Sequence, residues 1–341
     1  MIARLRQPLS PALYRRITVV ALVLLILIVV TGAGVRLTGS GLGCTDWPNC
    51  TDEKFVAERG DAHQMIEFVN RIITGLVSAA VVMAVLGSRR RAPRRRDLTW
   101  LSWGLVAGVA AQIGLGAVVV LTHLDPWLVQ GHFVLSMLLV LDAVVLSHRA
   151  GLPDDRPVRS AVTPALLRWG HGLVGLAVVV ILTGTLVTGS GPHSGRAGAP
   201  AGASRAEQLE AARDVRRLPI AVHDAARIHG GAMIAFLAVA VWVLVQLRRH
   251  DSEDALVRAG TSLLTVLILQ GAIGYTQYFT DVPPLLVGLH VLGASLVWVA
   301  VLNLVLHMRS PLVARGPVPA HWGREPNRAG HLPHGDLVPG G

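Results

Sequence analysis

Hydrophobic and polar positions divide the chain into eight long apolar segments separated by shorter polar ones. Each apolar segment has about 20 residues, the length that an α-helix needs to cross a bilayer. We predict membrane-spanning helices over residues 17–36, 65–87, 99–121, 129–147, 168–189, 226–246, 259–279 and 286–307. The first segment is too long for a signal-peptide core and no small-residue cleavage site follows it, so we expect it to be retained.

Composition agrees with this pattern. Of the 341 residues, 52% are hydrophobic and 15% are charged, and the mean hydropathy is +0.53. A soluble domain usually carries about 25% charged residues. The chain is therefore neither an ordinary soluble domain nor a disordered protein, and we predict an all-α, multi-pass protein of the cell membrane.

The net charge of +10 reflects membrane topology rather than nucleic-acid binding. Eight spans place both termini on one side, and 21 of the 31 Lys and Arg residues lie on that side. Basic residues accumulate on the cytoplasmic side of membrane proteins. We therefore predict that both termini are cytoplasmic and that the protein has no nucleic-acid partner.

The chain contains an internal duplication. Residues 112–140 resemble residues 270–298 at a constant offset of 158, which aligns Gln112 with Gln270 and His132 with His290. We predict two tandem four-helix bundles with the same orientation, related by a pseudo-two-fold axis along the membrane normal. The predicted divisions are a cytoplasmic N-terminus (1–16), an N-terminal bundle (17–147), a cytoplasmic linker (148–167), a C-terminal bundle (168–307) and a disordered cytoplasmic tail (308–341).

Three histidines lie about one turn into spans that run inward from the outer face. They are His132, His229 and His290. Ionisable groups inside a membrane are costly and usually functional. Neutral imidazoles from two neighbouring helices can supply both axial ligands of a haem, and we favour that role for His229 and His290. The alternative is that these histidines only pack helices together and bond to backbone carbonyls.

The second span carries a polar stripe. Asn70 aligns with His229, His63 lies two turns earlier on the same face, and Glu67 lies between them. A carboxylate in a membrane span needs a partner or a task. Glu67 either pairs with Arg71, at i to i+4 spacing, or performs acid–base chemistry beside a bound substrate.

Two cysteines, Cys44 and Cys50, flank the sequence TDWPN in the first outer loop. An extracytoplasmic pair at this spacing suits a disulfide. A redox-active pair ranks second and a metal site third. Asp142 lies ten residues into the fourth span, and we assign it no role.

Five segments together are similar to the haem A synthase family of membrane enzymes. They are RLTGSGLGCTDWPNC (36–50), IEFVNR (66–71), QGHFVLSML (130–138), RIHGG (227–231) and GLHVLGA (288–294). The resemblance extends over residues 15–307. Members of this family oxidise a methyl group of haem O to a formyl group, which yields haem A for terminal oxidase assembly.

The resemblance implies roles for individual residues. His229 and His290 would ligate the iron of a haem B cofactor in the C-terminal bundle. The substrate haem O would bind in the N-terminal bundle near Glu67, the catalytic candidate, with His132 as an iron ligand. Cys44 and Cys50 would form a disulfide near that site. The implied partners are membrane lipid, a haem O synthase and an electron donor, and a homo-oligomer is open.

One departure from the family motif concerns Asn70, where the family usually has a histidine. Three arrangements are open for this part of the haem site. His63 substitutes as the ligand, or the iron keeps an open position, or Asn70 hydrogen-bonds a bound water. An open position would suit oxidation chemistry.

Two other functions are compatible with the eight spans. The first is a non-catalytic membrane cytochrome b that only carries electrons. The second is a parallel-repeat transporter whose polar stripe binds a solute. A haem absorbance band would exclude the transporter, and conversion of haem O would exclude the cytochrome.

Overall fold

A computed structural model describes residues 8–44, 49–51, 54–58, 60–154, 160–191, 194, 216–250 and 252–309. The described chain folds into eight α-helices. They are α1 (Pro11–Leu37), α2 (Ala62–Arg90), α3 (Arg96–Leu121), α4 (Pro126–Ala150), α5 (Pro164–Ser190), α6 (Val222–Arg249), α7 (Asp254–Phe279) and α8 (Pro284–His307). Most of the predicted tail (308–341) and parts of the predicted N-terminus and linker, residues 1–7 and 155–159, lie outside the described residues.

All eight helices are long and apolar enough to cross a membrane, which confirms the predicted all-α membrane fold. Each predicted span lies within one helix, and most helices begin a few residues earlier than the apolar segment. The early starts come from capping groups, which a hydropathy profile does not register. Ser10, Asp61, Asp125 and Thr163 each accept a backbone N–H at the first turn of α1, α2, α4 and α5.

Many outward-facing side chains on these helices are large and apolar. Val23 on α1, Ile234 on α6 and Leu269 on α7 are all more than half exposed. A water-soluble protein rarely exposes so many large apolar groups along its helices. In a bilayer the same surface contacts lipid, so the exposure supports a multi-pass membrane protein.

The turns between the third and fourth helix of each half share an unusual backbone. His123 and Leu124 have φ values of 54° and 62°, and Asp281 and Val282, 158 positions later, have values of 58° and 57°. Non-glycine residues rarely adopt this left-handed conformation. In both pairs the second residue donates its N–H to a carbonyl five residues earlier, at 2.9 and 2.8 Å. The duplication seen in the sequence therefore extends to backbone detail.

The two halves meet along their fourth helices. Within the first half α1 packs against α2 and α4, and α3 packs against α2 and α4; the second half repeats these contacts with α5, α6, α7 and α8. Across the boundary α4 contacts α8 and α5, and α1 contacts α8. Trp298 of α8 donates its indole N–H to the carbonyl of Met137 on α4 at 3.0 Å, in the buried centre. The pseudo-two-fold axis and the exact divisions of the chain stay predictions.

Candidate functional site

The second half brings two histidine rings together. His229 on α6 and His290 on α8 have ring centroids 6.5 Å apart, and their planes are inclined by 71°. Two imidazoles joined through one metal ion by bonds of about 2 Å each would have centroids about 6 Å apart. The observed separation therefore fits a pair of axial ligands on one iron atom.

Glycines lie directly against both rings, and a hydroxyl group contacts one of them. A side chain on Gly184 would come within 3.2 Å of the His229 ring, and one on Gly274 would come within 3.1 Å of the His290 ring. These distances are tighter than ordinary contacts, so both histidines lie directly against the backbone of a neighbouring helix. The Thr183 hydroxyl lies 3.2 Å from Nδ1 of His229. Such a contact at Nδ1 leaves Nε2 free to bind a metal.

Gln112 and Gln270, which the duplication aligns, make the same contact in the two halves. Gln270 Nε2 donates to the backbone carbonyl of His290 at 2.9 Å, and Gln112 Nε2 donates to that of His132 at 3.0 Å. Nδ1 of His132 and Nδ1 of His290 are both buried without a hydrogen-bond partner in the described structure. The helix that carries each aligned histidine is thus fixed to the preceding helix in one shared way.

The first half differs at the position that matches His229. Asn70 on α2 carries an amide there, and its Oδ1 accepts a hydrogen bond from the Thr31 hydroxyl of α1 at 2.9 Å. The contact parallels that between Thr183 and His229, because each joins the first and second helix of its half. Since Asn70 has no imidazole, the first half lacks the ring pair of the second half at this position.

His63 points its ring toward the loop that follows α1. Its Nδ1 lies 3.0 Å from the hydroxyl of buried Ser40, which lies 2.8 Å from the hydroxyl of Thr38. The N-terminus of α2 is capped by Asp61, which accepts the His63 N–H at 2.9 Å. The structure therefore fixes His63 at the start of α2 through a hydroxyl pair, one to two turns from Glu67 and Asn70.

Glu67 is buried, with 5% of its surface exposed. One carboxylate oxygen accepts a hydrogen bond from Arg71 at 2.7 Å, and the other accepts the backbone N–H of Cys44 at 2.9 Å. Arg71 in turn donates to the backbone carbonyl of Asn49 at 2.8 Å. The ion pair with Arg71, one of the two alternatives for Glu67, is thus present, and together the two side chains hold both ends of the cysteine loop. Sequence reasoning missed these loop contacts, because spacing along a helix gives no information on a distant backbone group.

Cys44 and Cys50 form a disulfide, with Cα atoms 4.3 Å apart, which confirms the predicted pairing. Both are fully buried and pack with Ala57, Met65 and Phe68. A side chain on Gly43 would come within 2.5 Å of the His63 carbonyl, so only glycine permits the loop to lie so close to α2. Residues 45–48, in the loop that the disulfide closes, lie outside the described residues.

Asp142 lies apart from these groups. Ten residues separate it from His132 on α4, which corresponds to about 15 Å along the helix. It borders a cavity of about 580 Å³ between α3 and α4, and its Oδ1 is buried without a hydrogen-bond partner in the described residues. The structure brings no haem-site candidate to Asp142.

The described residues contain no group of three or more His, Cys, Asp or Glu side chains arranged to hold a metal ion. Two axial imidazoles are the whole protein contribution to a bis-histidine haem, since the porphyrin supplies the other ligands.

The sequence matches other proteins over most of its length. Residues 15–302 match the family described as COX15-CtaA, cytochrome oxidase assembly protein. A protein of Lysinibacillus sphaericus (strain C3-41) named heme A synthase is 30% identical over 173 residues, which are 50% of this chain and 56% of that relative. Proteins of the same name from Bacillus cereus (strain G9842) and Bacillus anthracis (strain A0248) are 23% and 24% identical over 289 residues, 83% of this chain and 89% of each relative. The chain belongs to the COX15-CtaA family of cytochrome oxidase assembly proteins.

Proposed function

We propose that this protein is a haem A synthase, an oxidoreductase that converts a methyl group of haem O to the formyl group of haem A. The observation that carries the proposal is the unequal ligand set of the two halves. The second half has paired imidazoles 6.5 Å apart, whereas the first half has one matching histidine, His132, and an asparagine, Asn70, at the position that matches His229. Family membership and relatives named heme A synthase support it.

In this proposal His229 and His290 hold a haem B cofactor in the second half. A haem with two histidine ligands supplies one-electron transfer and has no open position for a substrate. The chain's contribution is to orient the rings: Thr183 contacts His229, and Gln270 fixes the helix turn that carries His290.

The substrate haem O belongs in the first half, between α2 and α4. His132 would provide an iron ligand from α4, and Asn70, hydrogen-bonded to Thr31, occupies on α2 the position that matches His229. In this proposal each of two hydroxylations of the methyl carbon would consume one O2, two electrons from the electron donor and two protons and would release one water. The resulting hydrated aldehyde would lose a further water to give the formyl group. The low-dielectric surroundings hold the intermediates away from bulk water.

Glu67 is the acid–base candidate of this half. Its carboxylate lies on the same face of α2 as Asn70 and is anchored by Arg71 and by the Cys44 N–H. An anchored carboxylate can accept or return a proton without reorienting. The disulfide loop keeps that anchor in place by linking Glu67 and Arg71 to Cys44 and Asn49.

The proposed topology places both termini in the cytoplasm and both haem sites near the outer face, because most basic residues lie on the side of the termini. The proposed partners are membrane lipid, a haem O synthase that supplies the substrate, and an electron donor.

The test is chromatography of haems extracted from cells that produce this chain together with a haem O supplier. We expect haem A to appear only when both proteins are present. Bound haem B without any haem A or hydroxylated haem O would identify an electron-carrying cytochrome b instead. A purified protein without any haem band would contradict both functions and favour a transporter.

A further inference from the structure

Arg36, in the last turn of α1, carries a positive charge that has no partner among the described residues. Its side chain is partly buried, and its Nε is fully buried without a hydrogen-bond partner in the described structure. An unpaired cation inside a membrane protein is costly and usually faces an interior site that supplies an anion. Arg36 is therefore a candidate binding residue for an anionic ligand.

The described carboxylates on the outer side of the first half are engaged by other groups. Both oxygens of Glu67 accept hydrogen bonds, one from an arginine side chain and one from a backbone N–H. Asp61 and Asp125 accept backbone N–H groups at the first turns of α2 and α4, and the exposed Glu58 pairs with a lysine. None of these four groups neutralises Arg36, so a bound anion would have to come from a ligand.

The face of α1 that carries Arg36 points into the protein rather than toward lipid. Leu25 and Val29 lie eleven and seven residues earlier, within about 20° of Arg36 around the helix axis. They are 3% and 7% exposed and belong to the buried core. A lipid phosphate outside the helices would meet the opposite face of α1, so an interior ligand fits Arg36 better.

The duplication connects this face of α1 to the candidate haem-ligand positions. In the second half a side chain on Gly184 would come within 3.2 Å of the His229 ring, and the preceding threonine contacts the same ring. In the first half Gly32 likewise follows a threonine, and that threonine contacts Asn70. The space in front of Gly32 is open to 4 Å. Gly32 thus borders open space where the second half has an imidazole.

Arg36 lies one turn beyond Gly32 on the same side of α1. Four residues separate the two, which corresponds to about 6 Å along the helix toward its outer end. In the second half the residue four positions after Gly184 is Thr188, so only the first half has a cation at this place. A ligand in the space beside Gly32 can therefore present an anionic group to Arg36.

A haem supplies the kind of anion that Arg36 lacks. Haem O, like haem B, carries two propionate carboxylates at one edge of its macrocycle. A guanidinium group can bind a carboxylate through two parallel N–H···O bonds. We propose that Arg36 binds a propionate of the haem held in the first half, so that the propionate edge of this haem faces the outer side. The inference rests on the proposed function and adds the residue that orients the substrate.

An esterified haem separates this ion pair from the rest of binding. In the dimethyl ester of haem O both propionates are uncharged, whereas the iron, the macrocycle and the other substituents are the same. The purified protein, with its second-half haem in place, is titrated with haem O and separately with the ester, and absorbance difference spectra give the two affinities. We expect the wild type to bind haem O more tightly by about tenfold or more, as for a hydrogen bond between charged groups.

Substitution of Arg36 should remove this preference. Arg36→Gln should weaken haem O binding by about tenfold or more and leave binding of the ester unchanged. Arg36→Lys should keep part of the preference, because it retains the charge but not the planar fork. Arg217→Gln is the matched control, since it removes one positive charge from an exposed position in the outer loop before α6, and it should keep the wild-type preference.

Equal affinities of the wild type for haem O and its ester would overturn the inference. Equal losses for both ligands in Arg36→Gln would also overturn it, because they would show an arginine that only supports the fold. The same holds if Arg36→Gln melts at a lower temperature before haem O is added, since that result would identify a partner within the protein.

Formation of haem A is assayed in the same preparations. Absence of haem A from the wild type contradicts the proposed function, whereas the ratio of the affinities for haem O and its ester tests Arg36 separately.

Discussion

The two halves share a scaffold and differ in the groups that it presents. Both have a left-handed turn between their third and fourth helices, and both fix a histidine-bearing turn through a glutamine. At the second helix, however, the C-terminal half has His229 and the N-terminal half has Asn70. One scaffold thus carries two imidazoles 6.5 Å apart in one half, and one imidazole with an asparagine at the other position in the other half.

Under the proposed function, this difference assigns different roles to the two halves. A haem held by two imidazoles stays bound and exchanges electrons, whereas a haem that must enter, react and leave benefits from fewer ligands. The polar groups follow the same division, because the Glu67–Arg71 pair and the disulfide occur only in the first half of the described structure. Four experiments test the comparison, beginning with the largest expected effect.

Loss of a ligand in the second half should abolish haem B binding. In His290→Ala or His229→Ala the remaining imidazole cannot form the same six-coordinate iron, so the low-spin absorbance signal should disappear from the purified protein. His132→Ala is the control and should keep that signal, because it alters only the first half. A normal low-spin spectrum in both second-half variants would remove the basis for the comparison.

Glu67→Gln should leave the second-half haem bound and lower haem A formation per bound haem B by about 100- to 10,000-fold, the usual range for general acid–base groups. Hydroxylated haem O should accumulate if the second oxidation is the slower one.

Arg71→Gln separates a catalytic role of Glu67 from its role in anchoring the cysteine loop, because it breaks the 2.7 Å ion pair but keeps the carboxylate. If Glu67 only anchors the cysteine loop, both variants should lose stability equally and keep their turnover per folded molecule. Near-normal haem A yield in Glu67→Gln would refute the catalytic role.

Asn70→His should make the first half resemble the second. The Thr31 hydroxyl that now contacts the Asn70 amide at 2.9 Å could hold the new ring as Thr183 holds His229. We expect a second low-spin haem signal with haem O bound, because the new imidazole would complete a ligand pair with His132. Haem A formation should be retained, since the family usually has a histidine at this position.

His63→Ala tests whether His63 supplies the iron ligand that Asn70 does not provide. A changed spectrum of the bound substrate haem would show that His63 supplies a ligand, and an unchanged spectrum would show an open iron position. If Asn70→His gives no second low-spin signal with haem O bound, a histidine at position 70 does not form the same ligand pair in the first half that is proposed for the second.

Cys44→Ser should have the smallest effect. Breaking a bridge that closes a loop of this length costs about 2 kcal/mol of stability in the chain-entropy description. We expect a lower melting temperature and retained second-half haem B. In the wild type both thiols should resist labelling until reductant is added, and full labelling of the untreated protein would argue against a bridge in the cell.

The sequence alone was sufficient for the eight helices, because a helix that crosses a bilayer must be long and apolar and therefore appears as a segment of about 20 apolar residues. It was also sufficient for the duplication, since the offset of 158 aligns Gln112 with Gln270 and His132 with His290. The first residue of each helix was harder to predict, because caps such as Asp61 and Thr163 are single side chains outside the apolar segments.

Only the tertiary structure decided which side chains meet. Helix periodicity predicted that Glu67 could reach Arg71, but the bonds from this pair to Cys44 and Asn49 depend on how the loop folds back over α2. The 6.5 Å separation of His229 and His290 likewise depends on the packing of helices distant in sequence. A periodic pattern specifies the face of a helix, whereas the neighbour of that face is set by the joint packing of all eight helices.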